Sequence, residues 1–183
     1  ETEYLLAVAT EYLRSLASHG LKAEPYVVDF VISLTVNSSP PQYHTLHQLL
    51  QYHVISDSPG VSQQLLAMST AYPPALQLAI DMLHRLGAHQ DVAEVMLSRR
   101  MLLPVMRYIK RQSSVSIPAE RLLQAALDSH DSILFHTTYR FVQAMHYQLY
   151  ASHRRSSPNF LPQDSCEAFS EHFDKLYSQE AQA

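Results

Sequence analysis

The residue types best suited to chemistry in this chain are histidines. His44 and His47 stand three apart and His53 six further on, a spacing that puts the first two on one helix face in the manner of metal ligands. A metal centre needs further donors held beside them. No carboxylate or cysteine stands at a matching position, so the three read as partly buried helix residues. His84 and His89 flank Gly87 and read as helix-end residues facing exposed carbonyls. The three glycines stand singly in turn contexts, and no G-x-S-x-G, G-x-x-x-x-G-K or G-x-G-x-x-G run occurs to build a nucleophile elbow or a phosphate cradle. The sequence therefore predicts no catalytic, metal-binding or cofactor-binding residues, and no enzyme.

Two residue classes point instead to contact surfaces. Arg99-Arg100, Lys110-Arg111 and Arg154-Arg155 are basic pairs suited to acidic partners or anionic lipid head groups, or simply to solvated helix ends. Eleven tyrosines offer a large apolar area with a polar tip, the combination enriched in protein interfaces. Tyr139, Tyr147 and Tyr150, with Phe135 and Phe141 nearby, make one long helix the first place to expect an exposed patch. The formal charge of −4, with positive residues scattered, opposes nucleic-acid binding, which wants a basic face.

The elements that carry these residues are helical. In Pro73 to Gly87, Leu76, Ala79, Ile80, Leu83 and Leu86 recur at three- and four-residue steps while Gln77, Asp81, His84 and Arg85 take the other face. A first helix is expected over about Thr2 to His19, striped by Tyr4, Leu5, Val8, Tyr12, Leu13 and Leu16, with Gly20 as its left-handed cap. Pro25 suits a first helical turn. Tyr26 to Val36 is rich in β-branched residues, yet its apolar positions cluster without alternating and no second strand exists to pair with it, so it too is expected to be a helix.

A third helix, marked by Tyr43, Leu46, Leu49, Leu50 and Val54, precedes Asp57-Ser58-Pro59-Gly60, and a fourth follows through Val61, Leu65, Leu66 and Met68. Beyond Gly87, Asp91 is expected to cap a short sixth helix and Met101 to Lys110 to form a seventh. Gln112 to Ser116 reads as a polar, mobile stretch, Ser116 with Pro118 begins an eighth helix, and Asp131 caps a long ninth. Residues 151–164 read as an irregular connection, and 165–178 as a terminal docking helix striped by Cys166, Phe169, Phe173 and Leu176. The expected architecture is all-α, a single α-solenoid domain over residues 1–183 built of stacked antiparallel helical hairpins, about ten helices in all. Hydrophobic residues at 46% suffice for such a core, and the apolar runs fall short of a bilayer span. The chain opens on Glu1 already in a helical pattern, as expected for a segment of something longer.

The wording of the sequence adds to its pattern. Leu49-Leu50-Gln51-Tyr52-His53-Val54-Ile55-Ser56-Asp57-Ser58, Tyr72-Pro73-Pro74-Ala75 with Asp81-Met82-Leu83-His84-Arg85-Leu86, Val95-Met96-Leu97-Ser98 with Arg107-Tyr108-Ile109, and Ser157-Pro158-Asn159-Phe160 resemble the C-terminal domain of the Bulli family, also called the colon-cancer-associated Mic-one-like family. The resemblance implies an N-terminal β-propeller ahead of a helical solenoid. It implies a non-catalytic scaffold and regulatory subunit of the Mon-one/Ccz-one complex, the guanine nucleotide exchange factor for the Rab-seven GTPase in late endosomal and lysosomal trafficking and autophagy. The partner so implied is the Mon-one/Ccz-one heterodimer and, through it, the Rab-seven GTPase. Its implied place is cytoplasmic, peripheral on late endosome, lysosome and autophagosome membranes. The family offers no catalytic residues to carry over. A clathrin-like or vacuolar-sorting-like solenoid bridging coat or tether subunits is the alternative of the same architecture.

Overall fold

The computed structural model describes residues 2–151, 167–169, 171 and 174. It divides into two compact units, Glu1–Ala88 and His89–Ala183. The first carries α1 (Thr2–Ser18), α2 (Pro25–Asn37), α3 (Tyr43–Gln51), α4 (Pro59–Met68) and α5 (Pro74–Arg85). The second carries α6 (His89–Ser98), α7 (Leu102–Arg111), α8 (Ala119–Leu127) and α9 (Ser132–Ala151), with helical residues again at 167–169, 171 and 174. Among the described residues there is no strand. The β-branched segment is helical as expected: Pro25 opens α2 where its missing N–H has no intrahelical partner, and Val28, Val31 and Ile32 turn into the core.

Helix ends follow from local chemistry. Gly20 (φ +69°) and Gly87 (φ +72°) hold the left-handed position that ends α1 and α5. The next amides, of Leu21 and Ala88, donate back to the carbonyls of Leu16 and Leu83 at 2.9 and 3.0 Å. The same closure ends α3 and α6 at His53 (φ 55°) and Arg100 (φ 57°), side chains in a conformation that favours glycine. The Ser58 hydroxyl accepts from the Val61 amide to cap α4, and the Asp131 carboxylate accepts from the Ile133 and Leu134 amides at 2.9 and 3.0 Å to cap α9.

Within each unit, sequential helices pack on one another in the solenoid manner: α1 on α2, α2 on α3 and α4 on α5 in the first, α6 on α7, α7 on α8 and α8 on α9 in the second. Each unit has its own apolar core. Leu6, Leu13, Val31, Leu46, Ile55, Leu65 and Met82 centre the first. Leu102, Val105, Ile117, Leu122, Leu123 and Phe135 centre the second, each burial contributing on the order of 1.5–3 kcal/mol.

The structure corrects four local expectations. In α1 the core-facing residues are Leu6 and Leu13, with Ala9 packed beside them, whereas Tyr4, Leu5, Val8 and Tyr12 are exposed. In α5, Leu86 falls at the C-cap and is exposed. Helix α6 starts at His89, so Asp91 lies in its first turn, where its charge suits the helix dipole, rather than at its cap. The 112–116 stretch is anchored: Val115 is buried, and the Gln90 side-chain amide both donates to the Ser116 carbonyl and accepts from the Ser116 amide, at 3.0 Å each. Of the expected 151–164 connection, Ala151 is the last residue of α9 and the rest lies outside the described residues. In the expected terminal helix, Phe169 packs against the core of the second unit, while Cys166, Phe173 and Leu176 lie outside the described residues.

Candidate functional site

In the first unit, α3 and α5 frame a groove of about 430 Å3 whose lining includes His47, His53, Met82, Asp81 and Arg85. His47 is half-buried, its Nδ1 3.3 Å from the Tyr72 hydroxyl, and Tyr72 stacks on Tyr43 at 4.7 Å between ring centroids. His44 is exposed and does not line the groove. His53 has left the helix altogether, being the left-handed residue beyond its end, so the three-and-six spacing does not put three imidazoles on one face. Among the described residues no three metal-ligating side chains cluster. The described residues lining the groove include no serine, threonine or cysteine. On its rim, Arg85 donates from Nε and Nη2 to the two carboxylate oxygens of Asp57 at 2.7 and 2.8 Å, tying the end of α5 to the turn before α4. Those hydrogen bonds hold the Asp57 carboxyl below the usual carboxylate range against the opposing effect of its partial burial.

His84 is exposed near the end of α5. His89, at the start of α6 in the second unit, has its Nδ1 2.7 Å from the Tyr108 hydroxyl, and burial raises the Tyr108 pKa. These pairings join residues of neighbouring segments.

The tyrosines divide in two. Tyr43, Tyr72, Tyr108 and Tyr139 are half-buried between helices, while Tyr4, Tyr12, Tyr26 and Tyr52 are exposed. The patch expected on the long ninth helix is not where its described aromatics lie: Phe135 and Phe141 are buried, Tyr139 stacks on Phe135, and the side chains of Tyr147 and Tyr150 lie outside the described residues. Exposed apolar surface concentrates instead on α1, where Tyr4, Val8 and Tyr12 follow at four-residue steps beside Leu5, and on Tyr26 and Phe30 of α2. Rows of apolar side chains left open to solvent in this way are the usual mark of a contact surface.

The basic pairs also separate. Arg100 forms the turn after α6 and reaches the Asp128 carbonyl, and Arg154-Arg155 lies outside the described residues. Lys110 points across to α9, its ammonium 5.6 Å from the Phe141 ring centroid. There it shares a groove of about 410 Å3 with Arg107 of the same helix, Arg140 of α9, and the apolar Leu103, Met106 and Phe141. Sequence reading missed this grouping, because Arg107 and Arg140 stand 33 positions apart and only the packing of α7 on α9 unites them.

Stacked helices with open grooves and exposed apolar rows make the described part of this chain an all-α, solenoid-like array. The chain belongs to the family described as "Regulator of MON1-CCZ1 complex, C-terminal", whose model matches residues 1–161. It is 36% identical over 181 residues to the human protein named Regulator of MON1-CCZ1 complex, and 35% identical over the same length to the mouse protein of that name; each match covers 98% of this chain and 26% of the relative. A Dictyostelium discoideum homolog of that regulator is 28% identical over 155 residues, covering 78% of this chain and 16% of the relative. The chain thus spans about a quarter of the human and mouse relatives. This bears out the family resemblance.

Proposed function

We propose that this chain is the non-catalytic, helical scaffold and regulatory part of a subunit that assembles with the MON1–CCZ1 heterodimer. In this reading the assembly is a guanine nucleotide exchange factor for the Rab-seven GTPase, and the exchange chemistry resides in the partners. The chain is cytoplasmic and works at late endosome, lysosome and autophagosome membranes in trafficking and autophagy, held there peripherally through the complex. The family match over residues 1–161 carries the reading. It is supported by the exposed apolar row of α1, whose large side chains invite a protein partner. No described helix is long and apolar enough to cross a membrane, consistent with attachment through partners.

The test is reconstitution of the assembly from the full-length parent and purified MON1–CCZ1, with and without this segment, followed by sedimentation with membranes and a Rab-seven exchange assay. Removal of the segment is expected to weaken assembly or membrane recruitment. Equal assembly, stability, recruitment and exchange with and without the segment would overturn the proposal. Exchange of nucleotide by this chain alone would overturn its non-catalytic character.

A further inference from the structure

The groove between α7 and α9 gathers three cations over an apolar floor. Arg107, Lys110 and Arg140 line it together with Leu103, Met106 and Phe141, and no aspartate or glutamate is among its described lining residues. Ion pairs among the described residues join Arg14 to Glu11, Arg85 to Asp57 and Arg121 to Glu94, and none of these three engages the groove cations. Elsewhere in the same unit, Arg121 grips Glu94 through two hydrogen bonds of 2.8 Å. Like charges concentrated in one concavity repel one another, and an anionic ligand relieves that repulsion.

We propose that the α7–α9 groove is the docking site for an acidic segment of a partner protein carrying an apolar anchor residue. The charge and the floor together select the occupant. Arg107 and Lys110 lie one turn apart on α7, while Arg140 answers from α9, so the positive charge runs along the groove and suits a chain of carboxylates rather than a single small anion. Met106 and Phe141 are 5% and 8% exposed, recessed below the cations. A side chain entering from a partner reaches them, whereas a membrane surface is bound by apolar side chains that protrude into it. Leu103, 45% exposed, forms the open lip on which the anchor residue closes. The Lys110 ammonium lies over the Phe141 ring, 5.6 Å from its centroid, which joins a groove cation to the apolar floor. The proposal rests on the reading of this chain as an assembly subunit and specifies the chemistry of one contact.

The test uses the full-length parent with purified MON1–CCZ1. A carbodiimide joins an amine directly to a carboxylate it touches, so Lys110 is expected to crosslink to an aspartate or glutamate of the heterodimer. Combining Arg107→Glu, Lys110→Glu and Arg140→Glu should weaken the binding by about tenfold or more, with a shallower dependence on salt. The neutral set Arg107→Gln, Lys110→Gln and Arg140→Gln should give a smaller loss in the same direction. A circular dichroism melt confirms that each variant is folded. Unchanged affinity for both variant sets, or a Lys110 crosslink confined to the parent chain itself, would overturn the groove proposal while leaving the assembly reading standing. Failure of the unaltered parent to bind the heterodimer would overturn both. Vesicles of phosphatidylcholine with phosphatidylserine serve as the second probe: a variant that loses vesicle binding while keeping its affinity for MON1–CCZ1 would assign the groove to lipid and also overturn the proposal.

Discussion

Leu13→Ala and Tyr12→Ala remove neighbouring apolar side chains from one helix, yet the structure assigns them opposite consequences. Leu13 is 1% exposed and belongs to the core of the first unit, whereas Tyr12 is 53% exposed. Truncating a buried leucine forfeits its transfer free energy and leaves a cavity, a cost of about 3 kcal/mol within the usual 2–5 kcal/mol range. At about 2–4 °C per kcal/mol for a chain of this size, the loss should appear as a fall in melting temperature of about 6–12 °C. Tyr12 has little to lose on its open side, so its truncation should cost about 0.5 kcal/mol or less. Thermal melts by far-UV circular dichroism measure both. Hydrogen exchange of peptides from α1 and α2 localises the change to the first unit. A larger loss for Tyr12→Ala than for Leu13→Ala, or losses below about 1 kcal/mol at both, would mean that α1 turns its other face to the core.

The Asp57–Arg85 pair makes stability depend on pH. The folded carboxyl is held below its unfolded value near 3.9, so its contribution is fully present above that value and is lost as pH falls through the lower folded one. With the Arg85 side chain 41% exposed, solvent screening limits the pair to about 1 kcal/mol or less; Asp57→Asn should cost that at pH 7 and progressively less as the pH falls through the folded carboxyl's lowered pKa, read from urea midpoints. Gln90→Ala should release the 112–116 stretch, and faster hydrogen exchange at the Ser116 amide would show it; unchanged exchange would mean the amide is held by other contacts. Asp131→Ala should cost about 1 kcal/mol by orphaning the Ile133 and Leu134 amides, with Asp131→Ser restoring most of it in the same melts.

What was legible in the sequence was what neighbours along the chain decide. Gly20, Gly87, Pro25 and Asp131 act on the turn they occupy, and each does in the structure what its type predicts. The helical nature of α2 could also be read, since Val28, Val31 and Ile32 fall on one side of a helix and on no side of a strand. The face of α1 was harder: Tyr4, Val8 and Tyr12 form a stripe as regular as that of Leu6 and Leu13, and only the position of α2 decides which is buried. Gln90 with Ser116 and His47 with Tyr72 meet across 26 and 25 positions, beyond the reach of any local pattern. Lys110 stood out as part of a basic pair with Arg111, but its groove companions are Arg107 and Arg140, which only helix packing reveals. His53 shows the converse, a residue whose spacing suggested a ligand and whose backbone made it a turn.

In the proposed assembly this helical segment holds its subunit to MON1–CCZ1. The most direct test is the dissociation constant of the full-length parent for the purified heterodimer, measured by interferometry with the segment present and deleted. Deletion is expected to weaken the affinity by about tenfold or more, equivalent to about 1.4 kcal/mol of binding free energy. The same dissociation constant for both proteins would contradict it.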